Sequence, residues 1–208
     1  MEKPLFMALL LGSYDPQTKA CMATVKEEIV KSFSGENVYA LILDHLEMYE
    51  AGTVQVLTES FDADDKVTLF VFQNAQLIDI DDTTLEKTGL DSTVYAFLKE
   101  KYDVKEMKKT TIFDKLNALM LIAGAIFLLR QKEETRGGEY LELMHALYSG
   151  HSEKIWFFKK DGIELSAMLM EYLDKHNVMM RTYQREQDLV DSIVRTIKYR
   201  LQDSAQRP

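Results

Sequence analysis

With 208 residues and a hydrophobic content of 46%, the chain can bury one substantial core without disulfides, and a single domain is the default expectation. Its one cysteine, Cys21, excludes an intrachain disulfide and a cysteine-rich metal site, which favours a reducing, cytoplasmic location. The net charge of −9 argues against general binding of nucleic-acid polymers, and the longest apolar run, residues 118–129, is shorter than the roughly 20 residues that a membrane-spanning helix needs.

The first half of the chain alternates short apolar runs with a longer amphipathic segment, a pattern typical of βαβ units. Three apolar runs predict strands, at residues 5–12, 38–44 and 67–73. Residues 17–33 carry apolar side chains at helical spacing and predict a helix. Residues 46–60 fit two interpretations, because they could end in a strand that closes a hairpin through residues 62–65 or form the end of a helix that begins at Leu46.

The second half continues this alternation after an acidic segment, residues 78–92, that predicts an exposed loop. Helices are predicted at residues 93–102, 105–121, 138–149, 163–176 and 184–201. Strands are predicted at residues 125–130, 154–158 and, as a short edge strand, 178–183. The pattern predicts one α/β domain over residues 1–208, in which a parallel sheet of about five strands lies between helices on both faces.

Ligands of open parallel sheets bind beyond the carboxyl ends of the strands, and the segment "TRGGEYLEL" at residues 135–143 offers the most functional groups there. Gly137 and Gly138 would permit a tight turn, and the amides at the start of the next helix could receive an anion. Arg136 could add a bidentate contact to phosphate or carboxylate. The alternative is that the glycines only permit the turn and that Arg136 pairs with a neighbouring glutamate.

Two carboxylates follow these glycines. Glu139 lies in the first turn of the predicted helix, where a negative charge complements the helix dipole. Glu142 lies about one turn further along, between Leu141 and Leu143, and can point back towards the turn and the first strand. A half-buried carboxylate there is a candidate nucleophile or general acid/base, and the alternative is a glutamate on a solvated helix face.

The loop after the first predicted strand holds Ser13, Tyr14 and Asp15. These polar side chains could hydrogen-bond a ligand, and Tyr14 could stack on a base. A structural role is equally open, in which Ser13 or Asp15 caps the following helix and Pro16 occupies its first position. The four histidines lack metal-ligand spacing and the chain has no GxGxxG or Walker motif, so neither a metal nor a cofactor is predicted.

In this arrangement the chain resembles the nucleoside deoxyribosyltransferase-like superfamily, which includes TIR-like nucleotide-binding domains. The resemblance depends on the Ser/Tyr/Asp loop, the run "LNALMLIAGAIFLL", the pattern Gly-x-x-x-Glu-x-x-x-Ala at residues 138–146, and "KIWFF". It implies a flavodoxin-like fold with a five-stranded parallel sheet. The usual Gly-Thr of the superfamily is Gly138-Glu139 in this sequence.

The resemblance implies an enzyme that cleaves or transfers at the N-glycosidic bond of a nucleoside or nucleotide, with Glu142 as the catalytic carboxylate. The candidate ligand-binding residues are Ser13, Tyr14, Asp15, Arg136, Gly137 and Gly138. The expected partner is this small molecule, with no nucleic-acid polymer and no membrane, and shared active sites in the superfamily imply a homo-oligomer. Two alternatives stay open: a non-catalytic nucleotide-sensing module of the same fold, and a protein-interaction domain.

Overall fold

The computed structural model of the chain describes residues 5–60, 66–79, 84–133 and 137–206. The chain divides into two compact units, one made of residues 1–43 and 123–208, and the other of residues 44–122. The prediction of one domain over residues 1–208 did not distinguish these two units.

The strands and helices follow one another along the chain in three stretches. The first stretch begins the first unit and comprises β1 (Phe6–Gly12), α1 (Pro16–Ser32) and β2 (Val38–Ile42). The second stretch forms the second unit and comprises β3 (Leu46–Ala51), β4 (Val54–Ser60), β5 (Lys66–Gln73), β6 (Gln76–Asp79), β7 (Thr84–Glu86), α2 (Leu90–Tyr102), β8 (Lys108–Lys109) and α3 (Ile112–Ile122). The third stretch completes the first unit with β9 (Ala125–Arg130), α4 (Gly138–Tyr148), β10 (Ile155–Lys160), α5 (Ala167–Lys175), β11 (Met179–Tyr183) and α6 (Glu186–Gln206).

The first unit is built on a five-stranded sheet in the order β2, β1, β9, β10, β11, and every neighbouring pair is parallel. Numbered within this sheet, the order is 2-1-3-4-5, which is that of flavodoxin-like doubly wound folds. Helices lie on both faces of the sheet. The flavodoxin-like α/β fold predicted from the sequence is therefore confirmed.

The apolar runs form strands because both faces of this sheet are covered. In β1, Phe6, Ala8 and Leu10 contribute to a core with α1 and α6, so the alternate residues of the strand face the other side of the sheet. All seven residues of β1 and all six of β9 are buried. The runs are therefore apolar throughout rather than alternating, as a central parallel strand requires.

The second unit is built on an antiparallel sheet in the order β6, β5, β4, β3, β8, with β7 also paired to β5. α2 packs on this sheet through Val94 and Leu98. Of the two interpretations of residues 46–60, the hairpin is correct, since β4 pairs antiparallel with both β3 and β5. Residues 62–65, the proposed hairpin turn, lie outside the described residues.

Three predictions for this stretch were wrong in part. The run 67–73 is a strand but belongs to the antiparallel sheet. The connection between β4 and β5 has too few residues for the crossover that joins two parallel strands. The segment 78–92 was predicted as a loop but includes β7 and the start of α2, and the helix predicted at 105–121 begins only at Ile112, after β8. Among the described residues, no helix combines the length and apolar character needed to cross a membrane.

Candidate active site

Glu142 and Tyr14 meet at the carboxyl end of the parallel sheet. Tyr14 lies in the loop after β1, and Glu142 lies in the second turn of α4, the helix that follows β9. The Tyr14 hydroxyl donates a hydrogen bond of 2.7 Å to Oε1 of Glu142. Glu142 is only 8% exposed, so this carboxylate faces the protein and the solvated-face alternative is wrong.

Asp15 caps α1, and Pro16 occupies the first turn, as one of the two sequence interpretations proposed. The Asp15 carboxylate accepts hydrogen bonds from the backbone amides of Gln17 and Thr18 and from the Thr18 hydroxyl. It also forms an ion pair of 2.9 Å with Lys132, a residue just beyond β9. Its contacts are therefore those of a structural cap that also ties the β1 loop to the β9 loop.

These contacts change the ionisation of Asp15. Partial burial acts to raise the pKa of the Asp15 carboxyl, but the hydrogen bonds from Lys132 and Thr18 outweigh burial and hold that pKa well below its usual range. The negative charge is therefore retained at neutral pH. Ser13 lies beside it, half-buried, directly after the end of β1.

Gly137 and Gly138 form the turn into α4. Gly137 has a φ of 80°, a left-handed conformation that favours glycine, and no side-chain hydrogen bond caps the helix at this residue. A Cβ placed on Gly138 would meet no described heavy atom within 4 Å, and its φ is not positive. The glycine turn into the helix that the sequence predicts is present, whereas Arg136 lies outside the described residues.

A buried ion pair that the sequence interpretation missed holds the start of α4 to the end of β9. Glu139, expected to act only through the helix dipole, is fully buried and pairs with Arg130. Arg130 also donates to the carbonyl of Glu133 and lies over the Tyr140 ring, 4.8 Å from its centroid. The sequence did carry one sign of this pair, because Arg130 ends an apolar run and Glu139 follows nine positions later at the start of a helix.

The one cysteine is not a candidate nucleophile. Cys21 lies in the core on α1, where burial, assisted by the charge of Glu186, raises the pKa of its thiol to about 12. The thiol therefore stays protonated at neutral pH. Within the described part of the chain, no three His, Cys, Asp or Glu side chains are grouped so that they could hold a metal ion.

Comparison with protein-family models and with curated proteins finds no match to the chain. Among solved structures, the metal-soaked flavodiiron core of Flv1 from Synechocystis sp. PCC6803 is similar, with a TM-score of 0.42 and 8% sequence identity. The match covers 91% of this chain and 33% of that protein, so the chain spans about a third of its length. A likeness at this level does not bear on the site.

Proposed function

We propose that the chain binds a nucleoside or nucleotide beyond the carboxyl ends of β1 and β9, and that Glu142 acts on its N-glycosidic bond. The proposal depends above all on one observation, the hydrogen bond from Tyr14 to the buried carboxylate of Glu142. Carboxylates are rarely buried unless something holds them, and this one is held at the end of the sheet where doubly wound folds bind ligands. The superfamily resemblance supports the same assignment.

The chemistry needs a carboxylate beside the anomeric carbon. As the bond to the base breaks, its electron pair leaves with the base and positive charge develops on the sugar. An ionised Glu142 stabilises that charge or forms an ester with the anomeric carbon, which water or an acceptor then displaces. Tyr14, by donating to Oε1, fixes the direction of the carboxylate.

In the proposal, the turn into α4 receives the 5′-phosphate of the ligand. Gly137 needs glycine for its backbone conformation, but a Cβ on Gly138 would meet no heavy atom of the described residues within 4 Å. Close approach of a ligand to the backbone therefore explains glycine at position 138, and a 5′-phosphate at a helix start fits that role. In the proposal Arg136 contacts the same phosphate, and Ser13 and Asp15 line the β1 loop.

A binding experiment with a Gly138→Ala variant tests this recognition. Alanine favours helix by up to about 1 kcal/mol and meets no described atom, so we expect the unfolding midpoint to stay equal or rise. Calorimetry with a panel of nucleosides and 5′-nucleotides should show binding to the wild type and weaker nucleotide binding to the variant. Arg136→Ala should weaken the binding of nucleotides more than the binding of nucleosides.

Measurements of binding and of base release distinguish the enzyme from the nucleotide-sensing module. If no compound of the panel binds the wild type, both the enzyme and the nucleotide-sensing module are contradicted. Binding without release of free base from any compound would favour the sensing module. The homo-oligomer and the cytoplasmic location stay predictions, testable by sedimentation and by cell fractionation.

A further inference from the structure

A cleft lies at the other end of the parallel sheet from Glu142. It opens beside the amino ends of β10 and β11 and the C-terminal half of α6, and its volume is about 530 Å³. Small-molecule sites typically enclose roughly 300–1,000 Å³. Because α4 starts at the carboxyl ends of the strands, this cleft is separate from the candidate active site.

The lining of this cleft is strongly basic for a chain of net charge −9. Among the described residues, three of the seven arginines in the sequence, Arg181, Arg195 and Arg200, line it, together with a single carboxylate, that of Asp203. Arginine presents a planar fork of donors that matches the oxygens of phosphate. The lining therefore has an excess of positive charge in a form suited to an oxyanion.

Two of these arginines make no contact with a carboxylate among the described residues. Arg181 donates a hydrogen bond of 2.8 Å to the hydroxyl of Ser192, which orients the guanidinium without neutralising it. Arg195 makes no hydrogen bond or ion pair with any described residue. Both guanidinium groups can therefore still engage an anion.

Aromatic side chains complete the cleft. Arg200 lies over the Trp156 ring, 4.6 Å from its centroid, and donates to the Glu153 carbonyl, so its position is fixed by contacts on two sides. Tyr199 and Met179 also line the cleft and are 66% and 53% exposed. They offer an apolar wall on which a planar ring can stack.

We infer that this cleft binds a small phosphorylated molecule that carries a planar aromatic group, of the class of nucleoside monophosphates. The phosphate contacts Arg181 and Arg195, and the ring stacks on Tyr199. The inference is independent of the proposed function, because it uses none of the residues around Glu142.

The chain contains its own reporter for this site, since Trp156 is its one tryptophan. Titration of the full chain with AMP should change the tryptophan fluorescence saturably. Adenosine, which lacks the phosphate, and inorganic phosphate, which lacks the ring, should each bind at least about ten-fold more weakly. Absence of any fluorescence change with AMP would overturn the inference.

Matched variants assign the binding to the cleft. Arg195→Ala and Tyr199→Ala should each weaken AMP binding by about ten-fold, since the first removes one of the two arginines that contact the phosphate and the second removes the stacking contact to the ring. Arg185→Ala is the control, because Arg185 pairs with Asp188 and does not line the cleft. AMP binding that is unchanged in Arg195→Ala but lost in Gly138→Ala would place the nucleotide at the other end of the sheet and overturn the inference.

Discussion

At the scale of single residues, the contact between Tyr14 and Glu142 joins positions 128 residues apart in the sequence. The fold brings them together because β1 and β9 are neighbours in the sheet and both loops leave at its carboxyl edge. Tyr14 also packs against the core with its ring, so its hydroxyl is held in place. In the proposed reaction Tyr14 positions the carboxylate rather than reacting itself.

Removing only the Tyr14 hydroxyl tests that role. Tyr14→Phe keeps the ring in the core, and we expect kcat for base release to fall by about ten-fold or more while KM changes little. A hydrogen bond to a charged acceptor contributes about 1.5–3 kcal/mol, which sets this magnitude. Tyr148→Phe is the control, because Tyr148 lies on α4, the helix that carries Glu142, but is exposed. Equal kcat values for Tyr14→Phe and Tyr148→Phe would contradict the positioning role.

The cap at Asp15 has a pH-dependent contribution to stability. The pKa of the folded-state carboxyl lies below its unfolded value of about 3.9, so the stabilisation is complete above that pH and is lost as the pH falls through the folded pKa. We expect Asp15→Ala to lower the free energy of unfolding by about 0.5–2 kcal/mol near neutral pH. In urea titrations this difference from the wild type should shrink in strong acid; a difference that stays constant would contradict the assignment.

At the scale of elements, the position of α4 depends on the ion pair between Arg130 at the end of β9 and Glu139 in the first turn of the helix. The two side chains are 5% and 1% exposed. Removing one partner of a buried pair leaves an uncompensated charge, so Arg130→Met should lower the free energy of unfolding by about 3–5 kcal/mol in urea titrations. The double variant Arg130→Met/Glu139→Leu should recover much of that loss, and a double variant no more stable than the single one would contradict this account.

The strands also show which parts of the fold could be predicted from the sequence alone. The apolar runs of β1, β9 and β10 predicted buried parallel strands, because a strand covered on both faces must be apolar throughout. β5 has a similar run but pairs in the other sheet, since a short apolar run does not reveal its partner strand. The pairing of Lys132 with Asp15 could not be predicted either, because spacing along the chain predicts contacts within a helix but not between loops that are distant in sequence.

At the scale of the whole molecule, the arginines and the candidate catalytic carboxylate belong to the unit that holds the parallel sheet. All seven arginines lie in the second half of the sequence, and three of them line one cleft at the amino end of that sheet. The buried Glu142 carboxylate lies at the carboxyl end, near the glycine turn into α4. In the two proposals, a flavodoxin-like sheet thereby offers two separate ligand sites, and only the one at the carboxyl end has a catalytic group.

Release of free base by purified chains tests the central claim most directly. Wild type and Glu142→Gln are incubated with the same panel of nucleosides and 5′-nucleotides, and the base is quantified by chromatography. We expect the wild type to release base from at least one compound and Glu142→Gln to be slower by about a hundred-fold or more, as for loss of a catalytic carboxylate, while ligand binding persists. Glu171→Gln, which changes an exposed glutamate on α5, should match the wild type, whereas a Glu142→Gln variant that releases base at the wild-type rate would contradict the account.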